Sequence, residues 1–359
     1  MSQEIHFALH KERLLWDEWP GAIVEATLNR AAGLAHYLDV VLWLVECDDR
    51  LFEYAVKKLS GHNVRVERTT LRELPLRIPA GSWVVTHDWP SKIPPLMGTL
   101  GDARWLLTLD VVPLFDRSRS LTDRILSAHL VRKVLTRSWR GHLRRAKKLV
   151  AVSDREKCVL EYMYGIQPHA TIPYPIMVER SNHPKDGGVF LIDVGPEEAA
   201  ALRRIIEALK PKRIVANVRT DGSVLSLIGA HNVERLQDNL PHQQFTDLMA
   251  SADLVVIGEG KGMFEMPPLE AVASGTPAVS PMVPSLEMFQ RYAEGAGIDR
   301  MPFLDIDRVG SLDEAGLHRW FQGALESLDD SRRLIERHFS MDSVGRQLYN
   351  LILLRDNLL

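Results

Sequence analysis

The sequence predicts an α/β protein of two tandem, Rossmann-like, doubly wound domains with a ligand cleft between them. Three observations predict it. Short apolar runs alternate with longer stretches of helical spacing, the pattern of buried parallel strands joined by helical crossovers. A break at 173–188, PYPIMVERSNHPKDGG, carries three prolines, two glycines and little periodicity. The alternation then restarts, so the layout occurs twice.

In the first half the expected strands are IHFALH (5–10), VVLWLVEC (40–47), VRVER (64–68), WVVTHD (83–88), WLLTLDVV (105–112) and LVAVSD (149–154). Helical spacing fills 22–38 and 51–60 between them. After the break come VFLIDV (189–194), a helix at 197–209, RIVANV (213–218), NVERL (232–236), a helix at 242–251, LVVIG (254–258), a helix at 267–274 and PAVS (277–280). The stretch 312–358 reads as helices. In doubly wound sheets ligands bind outside the carboxyl ends of the strands, which here face the expected cleft.

The bulk numbers agree. At roughly 100–200 residues per domain, 359 residues suggest two domains, with three also within range. With 45% hydrophobic and 25% charged residues the chain is an ordinary globular one, long enough to bury its cores without staples. Two distant cysteines, Cys47 and Cys158, read as reduced thiols, and no Cys/His metal spacing occurs. No apolar window approaches about 18 residues and no signal peptide is evident, so the expectation is a cytoplasmic protein without a membrane span. Charge is uneven. Residues 117–148 carry eleven Lys/Arg against the single acid Asp123, a net +10, so with a total of −3 the rest sums to −13. That asymmetry suggests an anionic partner.

One segment carries chemistry. Residues 252–280, ADLVVIGEGKGMFEMPPLEAVASGTPAVS, set a strand, a loop and a helix with two prolines at its start. Prolines suit a helix's first turn, and a helix N-terminus favours anions. The segment resembles the donor-site signature of retaining glycosyltransferase family 4, of the GT-B fold. The resemblance implies that Glu270, the second Glu of a Glu-x7-Glu motif, holds the nucleotide ribose. It places Gly262, Met263, Phe264, Glu265, Met266, Pro267, Leu269 and Glu270 at the donor nucleotide sugar. The strong similarity includes HQQFTDLMASADL (242–254), and looser similarity extends to YGIQPHATIPYPI (164–176), THDW (86–89) and PGAIVEATLNRAAGLA (20–35), where Gly21 would approach the donor phosphate. VSDREK (152–157) is also similar, although Ser153 and Glu156 form a capping box that the fold alone accounts for. The domains implied are 1–175 on the acceptor side, 176–335 for the nucleotide sugar, and a C-terminal helix at 336–359 packing back on the first.

Three positions depart from the family. The leading Glu of Glu-x7-Glu falls on Gly262. The usual Arg and Lys after the second domain's first strand are replaced by acids in LIDVGPEEAAAL (191–202), with Arg219 a candidate replacement or a surface residue. The strand-end His of the fifth strand is replaced by Leu109 and Asp110. Two readings stay open: an active enzyme with altered donor contacts, or a catalytically degenerate relative acting as a binding or stabilising partner.

The resemblance implies retaining, metal-independent transfer of a sugar from a nucleoside-diphosphate sugar to an acceptor hydroxyl, with no cofactor beyond that substrate. Asp110 and Glu265 are the candidate carboxylates at the reacting centre, and His87 is a candidate for orienting a sugar hydroxyl. Asp110 reads equally as a turn residue and His87 as a satisfied strand-end histidine. The basic stretch 117–148 reads either as a helix with a solvated face or as a surface for anionic lipid headgroups or a lipid-phosphate acceptor, peripheral to a membrane. Nucleic acid ranks below these, because the overall charge is negative and no nucleic-acid motif occurs.

Overall fold

The computed structural model describes residues 4–10, 22–87, 103–108, 141, 143–178, 184–228, 233–238, 240–258 and 264–353. By contact the chain divides into two units. One is Met1–Pro175 with Gly262–Phe264 and Met341–Leu359; the other is Ile176–Lys261 with Glu265–Ser340.

The first unit contains β1 (Ile5–His10), α1 (Ala22–Leu34), β2 (Val40–Val45), α2 (Asp49–Leu59), β3 (Val64–Thr69), α3 (Leu74–Arg77), β4 (Trp83–His87), β5 (Arg104–Thr108), β6 (Lys148–Ala151), α4 (Asp154–Val159) and β7 (Ala170–Thr171). The strands form one parallel sheet in the order β3-β2-β1-β4-β5-β6-β7. Every residue of β2 is buried, as a strand covered on both faces must be. β2 stops two residues before the apolar run does. Glu46 turns into the left-handed region at φ 58°, and Asp48 accepts the Leu51 amide to cap α2. β6 likewise ends before Ser153, whose hydroxyl accepts the Glu156 amide and starts α4.

The second unit contains β8 (Gly188–Ile192), a 3-10 turn at Pro196–Glu198 leading into α5 (Ala199–Leu209), β9 (Arg213–Ala216), α6 (Gly222–Leu227), β10 (Val233–Arg235), α7 (His242–Ser251), β11 (Leu254–Ile257), α8 (Pro267–Ala273), β12 (Ala278–Ser280), α9 (Pro284–Gly295), β13 (Phe303–Asp305), α10 (Ile306–Val309) and α11 (Glu314–Phe339). Its parallel sheet runs β10-β9-β8-β11-β12-β13. Strand order reverses between β8 and β11. That switch point is where a doubly wound sheet opens for a ligand. β13 and α9 go beyond the elements expected from the sequence, as does the two-residue β7.

α11 runs through residue 335 to Phe339, so the chain rejoins the first unit only at Met341, as α12 (Met341–Leu353). Val344, Leu348, Leu351 and Ile352 of α12 are buried in the core that α1 shares with β1 and β2. α1 and α12 meet backbone to backbone. A Cβ on Gly33 would lie 2.1 Å from the Met341 carbonyl oxygen, and one on Gly345 would lie 2.2 Å from the Gly33 carbonyl. Tyr37, in the turn after α1, donates to Asp342 Oδ1 at 2.7 Å and stacks on Tyr349 at 5.1 Å between ring centroids.

Candidate functional site

The second unit's switch point is built on a glycine. β11 is buried throughout and ends at Ile257. The next residue, Gly258, donates its N–H to the Ile192 carbonyl at 2.8 Å. A Cβ there would sit 2.2 Å from the Asp193 carbonyl oxygen, so the loops after β8 and β11 approach as closely as they do only because it is glycine. Gly262 and Met263 lie outside the described residues. The chain continues at Phe264, whose ring meets Tyr174 edge-on at 5.3 Å within the first unit. The Glu265 carbonyl accepts a hydrogen bond from the buried Ser285 hydroxyl in the first turn of α9.

α8 then begins with Pro267 and Pro268. Neither has an N–H, so the donors at this helix start narrow to the amides of Met266 and Leu269. Glu270, one turn in, donates its amide to the Met266 carbonyl at 3.0 Å. The residue is only 5% exposed, and its carboxylate Oε1 accepts a hydrogen bond from His242 Nε2 at 2.9 Å. His242 is the first residue of α7.

The other ends of these two helices are also joined. The buried Thr276 hydroxyl, just past α8, donates to the Met249 carbonyl of α7 at 2.7 Å. Lys185 Nζ donates to the Ala252 carbonyl at 2.8 Å and to the Thr276 hydroxyl. Burial pulls that ammonium down to about 8, opposed by Asp253 and Asp186. α7 and α8 therefore lie side by side in the same direction, start against start and end against end.

The loop after β8 has the opposite character to the basic grip that the family resemblance implies. Asp193 sits in the left-handed region at φ 54°, its amide donating to Asn217 Oδ1 at 3.0 Å and its carboxylate accepting from Asn217 Nδ2 at 2.6 Å. Asn217 Oδ1 also takes the amide and hydroxyl of the buried Thr220. Glu198 Oε2 accepts the Gly195 amide at 2.8 Å, filling with the chain's own carboxylate a position where a helix start would meet an anion. Arg219 stands just beyond β9 and pairs with Asp193 Oδ2 at 3.6 Å. The cation proposed for the diphosphate thus already has an acid beside it.

Of the other expected site residues, His87 is the last residue of β4, in register with Thr108 of β5. Its side chain, like Gly21 and Asp110, lies outside the described residues. So does 117–140; at its far end Leu143 is buried and Arg144 and Arg145 are exposed. Among the described residues no group of three or more His, Cys, Asp or Glu could hold a metal ion. No described helix is long and apolar enough to cross a membrane.

The structure thus brings Glu265, Met266, Pro267, Leu269 and Glu270 together at the start of α8, and puts Arg219 beyond β9, against Asp193 of the loop after β8, the strand beside β11. It adds His242, which the sequence reading passed over. The segment HQQFTDLMASADL pointed to the helix, but not to a contact made 28 residues away in the next one.

No protein-family model matches the chain, and no curated protein matches it. Solved structures do. A mutant of S. aureus TarM, determined in complex with fondaparinux, α-GlcNAc-glycerol and UDP, is 10% identical, with a TM-score of 0.66 over 98% of this chain and 100% of that one. Sucrose-phosphate synthase from Thermosynechococcus elongatus is 13% identical, with a TM-score of 0.66 over 98% of each chain. A glycosyltransferase from Rickettsia africae is 12% identical, with a TM-score of 0.61 over 99% of each chain. At such identities the likeness is one of fold: this chain has the GT-B glycosyltransferase fold, two Rossmann-like α/β domains in a single chain.

Proposed function

We propose that this protein is a glycosyltransferase that moves a sugar from a nucleoside-diphosphate sugar to an acceptor hydroxyl, with retention and without a metal or other cofactor. The observation that carries the reading is Glu270. It is a buried carboxylate in the first turn of the helix after β11, at the sheet's switch point, held by His242. A carboxylate so placed accepts hydrogen bonds from ribose hydroxyls. The Met266 and Leu269 amides and the α8 start favour the leaving diphosphate. In the reaction the bond from the sugar's anomeric carbon to the diphosphate oxygen breaks, and the acceptor oxygen bonds to that carbon on the same face. The acceptor's proton leaves with the diphosphate. Asp110 and Glu265 are the carboxylates proposed to steady the positive charge at the anomeric carbon, and His87 is proposed to orient a sugar hydroxyl.

UDP, present in the S. aureus TarM complex, is the first nucleotide to try, followed by GDP and ADP. Titration calorimetry of the wild type and Glu270→Ala tests the site. The variant is expected to bind the preferred nucleotide about 1.5–3 kcal/mol more weakly, the range for a hydrogen bond to a charged group. A folded variant of unchanged affinity would remove Glu270 from the site.

A second reading, a catalytically degenerate relative acting as a binding partner, is favoured by the loop after β8. There Asp193 and Glu198 occupy the Arg219 side chain and the Gly195 amide. An active enzyme releases nucleoside diphosphate from its donor, at least slowly, to water. Hydrolysis followed over hours with several donors separates the readings. Absence of both turnover and nucleotide binding at millimolar concentration favours the partner.

A further inference from the structure

We infer that His242 is a positioning residue for the nucleotide, orienting the Glu270 carboxylate toward the ribose before any ligand arrives. The inference deepens the function proposed above and rests on it.

Glu270 is only 5% exposed, and a polar group so buried is costly unless it is hydrogen-bonded. Its donor comes from outside its own helix, as His242 Nε2–H reaches Oε1 at 2.9 Å. A glutamate has several rotatable bonds, and ordering it at the moment of binding subtracts from affinity. His242 orders it beforehand. The hold is firm because α7 and α8 are also tied at their far ends, by Thr276 to Met249 and by Lys185 to Ala252 and Thr276. The donor on α7 therefore keeps its distance from the acceptor on α8. No other hydrogen bond to these oxygens comes from the described residues, so Oε2 and the remaining lone pair of Oε1 are offered to ribose. The ligand class is a ribonucleotide with free 2′ and 3′ hydroxyls, and His242 acts on it only through Glu270.

The test is calorimetry on the full chain with the tightest binder among UDP, GDP and ADP, and with its 2′,3′-dideoxy counterpart, which lacks both hydroxyls. The variants are His242→Ala, His242→Gln, Glu270→Ala and the His242→Ala/Glu270→Ala pair. His242→Ala should weaken the ribonucleotide about tenfold, as expected for losing one hydrogen bond to a charged group, and leave the dideoxy compound unchanged. His242→Gln, which restores an N–H donor, should recover most of the loss. In the Glu270→Ala background His242→Ala should add nothing, because the two act as one unit. If His242→Ala does not fold by circular dichroism, His242→Gln carries the test, with near wild-type ribonucleotide affinity expected and a tenfold loss overturning the inference. Loss of binding in Glu270→Ala with full binding in His242→Ala would end the inference and leave the proposed function standing. Equal weakening of ribo and dideoxy ligands would also overturn it, since His242 would then be acting on the fold. If the wild type binds none of the three nucleotides, both fall together.

Discussion

Single side chains decide the chemistry of the second unit's sheet edge. Asp193 has a neutral replacement that keeps its geometry. Asparagine tolerates the left-handed backbone and still accepts from Asn217, but it releases Arg219. Asp193→Asn is therefore expected to tighten nucleoside diphosphate binding two- to fivefold, about the worth of a part-exposed ion pair, and more so at low salt. Calorimetry at two salt concentrations checks it, and weaker binding would mean that Arg219 faces elsewhere. His6 makes a different prediction. It is 1% exposed in β1, and its Nδ1 accepts the Trp43 indole N–H at 3.1 Å. Burial pulls its imidazole below the usual range, opposed by Glu4. A depressed folded-state value means the unfolded chain binds the proton more readily. The neutral imidazole's contribution is thus present above pH about 6.5 and lost as pH falls through the folded value. Thermal melts from pH 7.5 to 5.5 should show a fall in midpoint that His6→Asn, which retains an acceptor for Trp43, diminishes. The helix start that carries Glu270 was legible, because Pro-Pro-Leu-Glu-Ala stands between the ADL strand and Gly-Thr-Pro without a gap. The contacts of His242, Asn217 and Thr220 were not legible, since their partners are set by which loops the sheet order brings together.

At the scale of elements, the strands with buried, continuous apolar runs could be read directly. IHFALH became β1 over the same residues, and LVVIG became β11 less its terminal glycine. Ends went astray where a cap or a left-handed residue outranked the apolar pattern, as at Glu46 and Ser153. β13 and β7, at three and two residues, are too short to show a period of two, and their neighbours in the sheet define them. A C-terminal helix packing back on the first domain was expected, but its close approach to α1 at Gly33 and Gly345 was invisible, since a glycine looks the same in sequence whether or not another backbone lies against it. It yields a sharp expectation. Gly33→Ala and Gly345→Ala each force a methyl into backbone atoms that cannot rotate away, and each should cost on the order of 1–3 kcal/mol. Urea unfolding would show it. A wild-type midpoint in both variants would mean that the helices stand further apart.

For the molecule as a whole, charge is the property that composition shows best. The net +10 of residues 117–148 within a chain of −3 underlies the proposal that this segment attaches to an anionic membrane surface or a lipid-phosphate acceptor. Each basic residue near an anionic leaflet adds about 1 kcal/mol, so a few suffice for peripheral attachment. Cosedimentation with anionic vesicles should exceed that with neutral ones and fade at high salt. Equal sedimentation would remove the lipid, and a salt-sensitive shift with duplex DNA or RNA would put nucleic acid in its place.

The glycine-to-glycine seat of α12 on α1 also sets an order of events during synthesis. The residues that cover part of the first unit's core, 341–353, emerge from the ribosome only after the whole second unit has been made. At 5–20 residues per second the first unit waits on the order of 10–30 s with that face open. Throughout this interval the apolar side of α1 is exposed to chaperones, to proteases and to other nascent chains. A ribosome that stalls within the second unit would leave a first half that is made in full yet lacks its last helix, and so becomes a substrate for quality control.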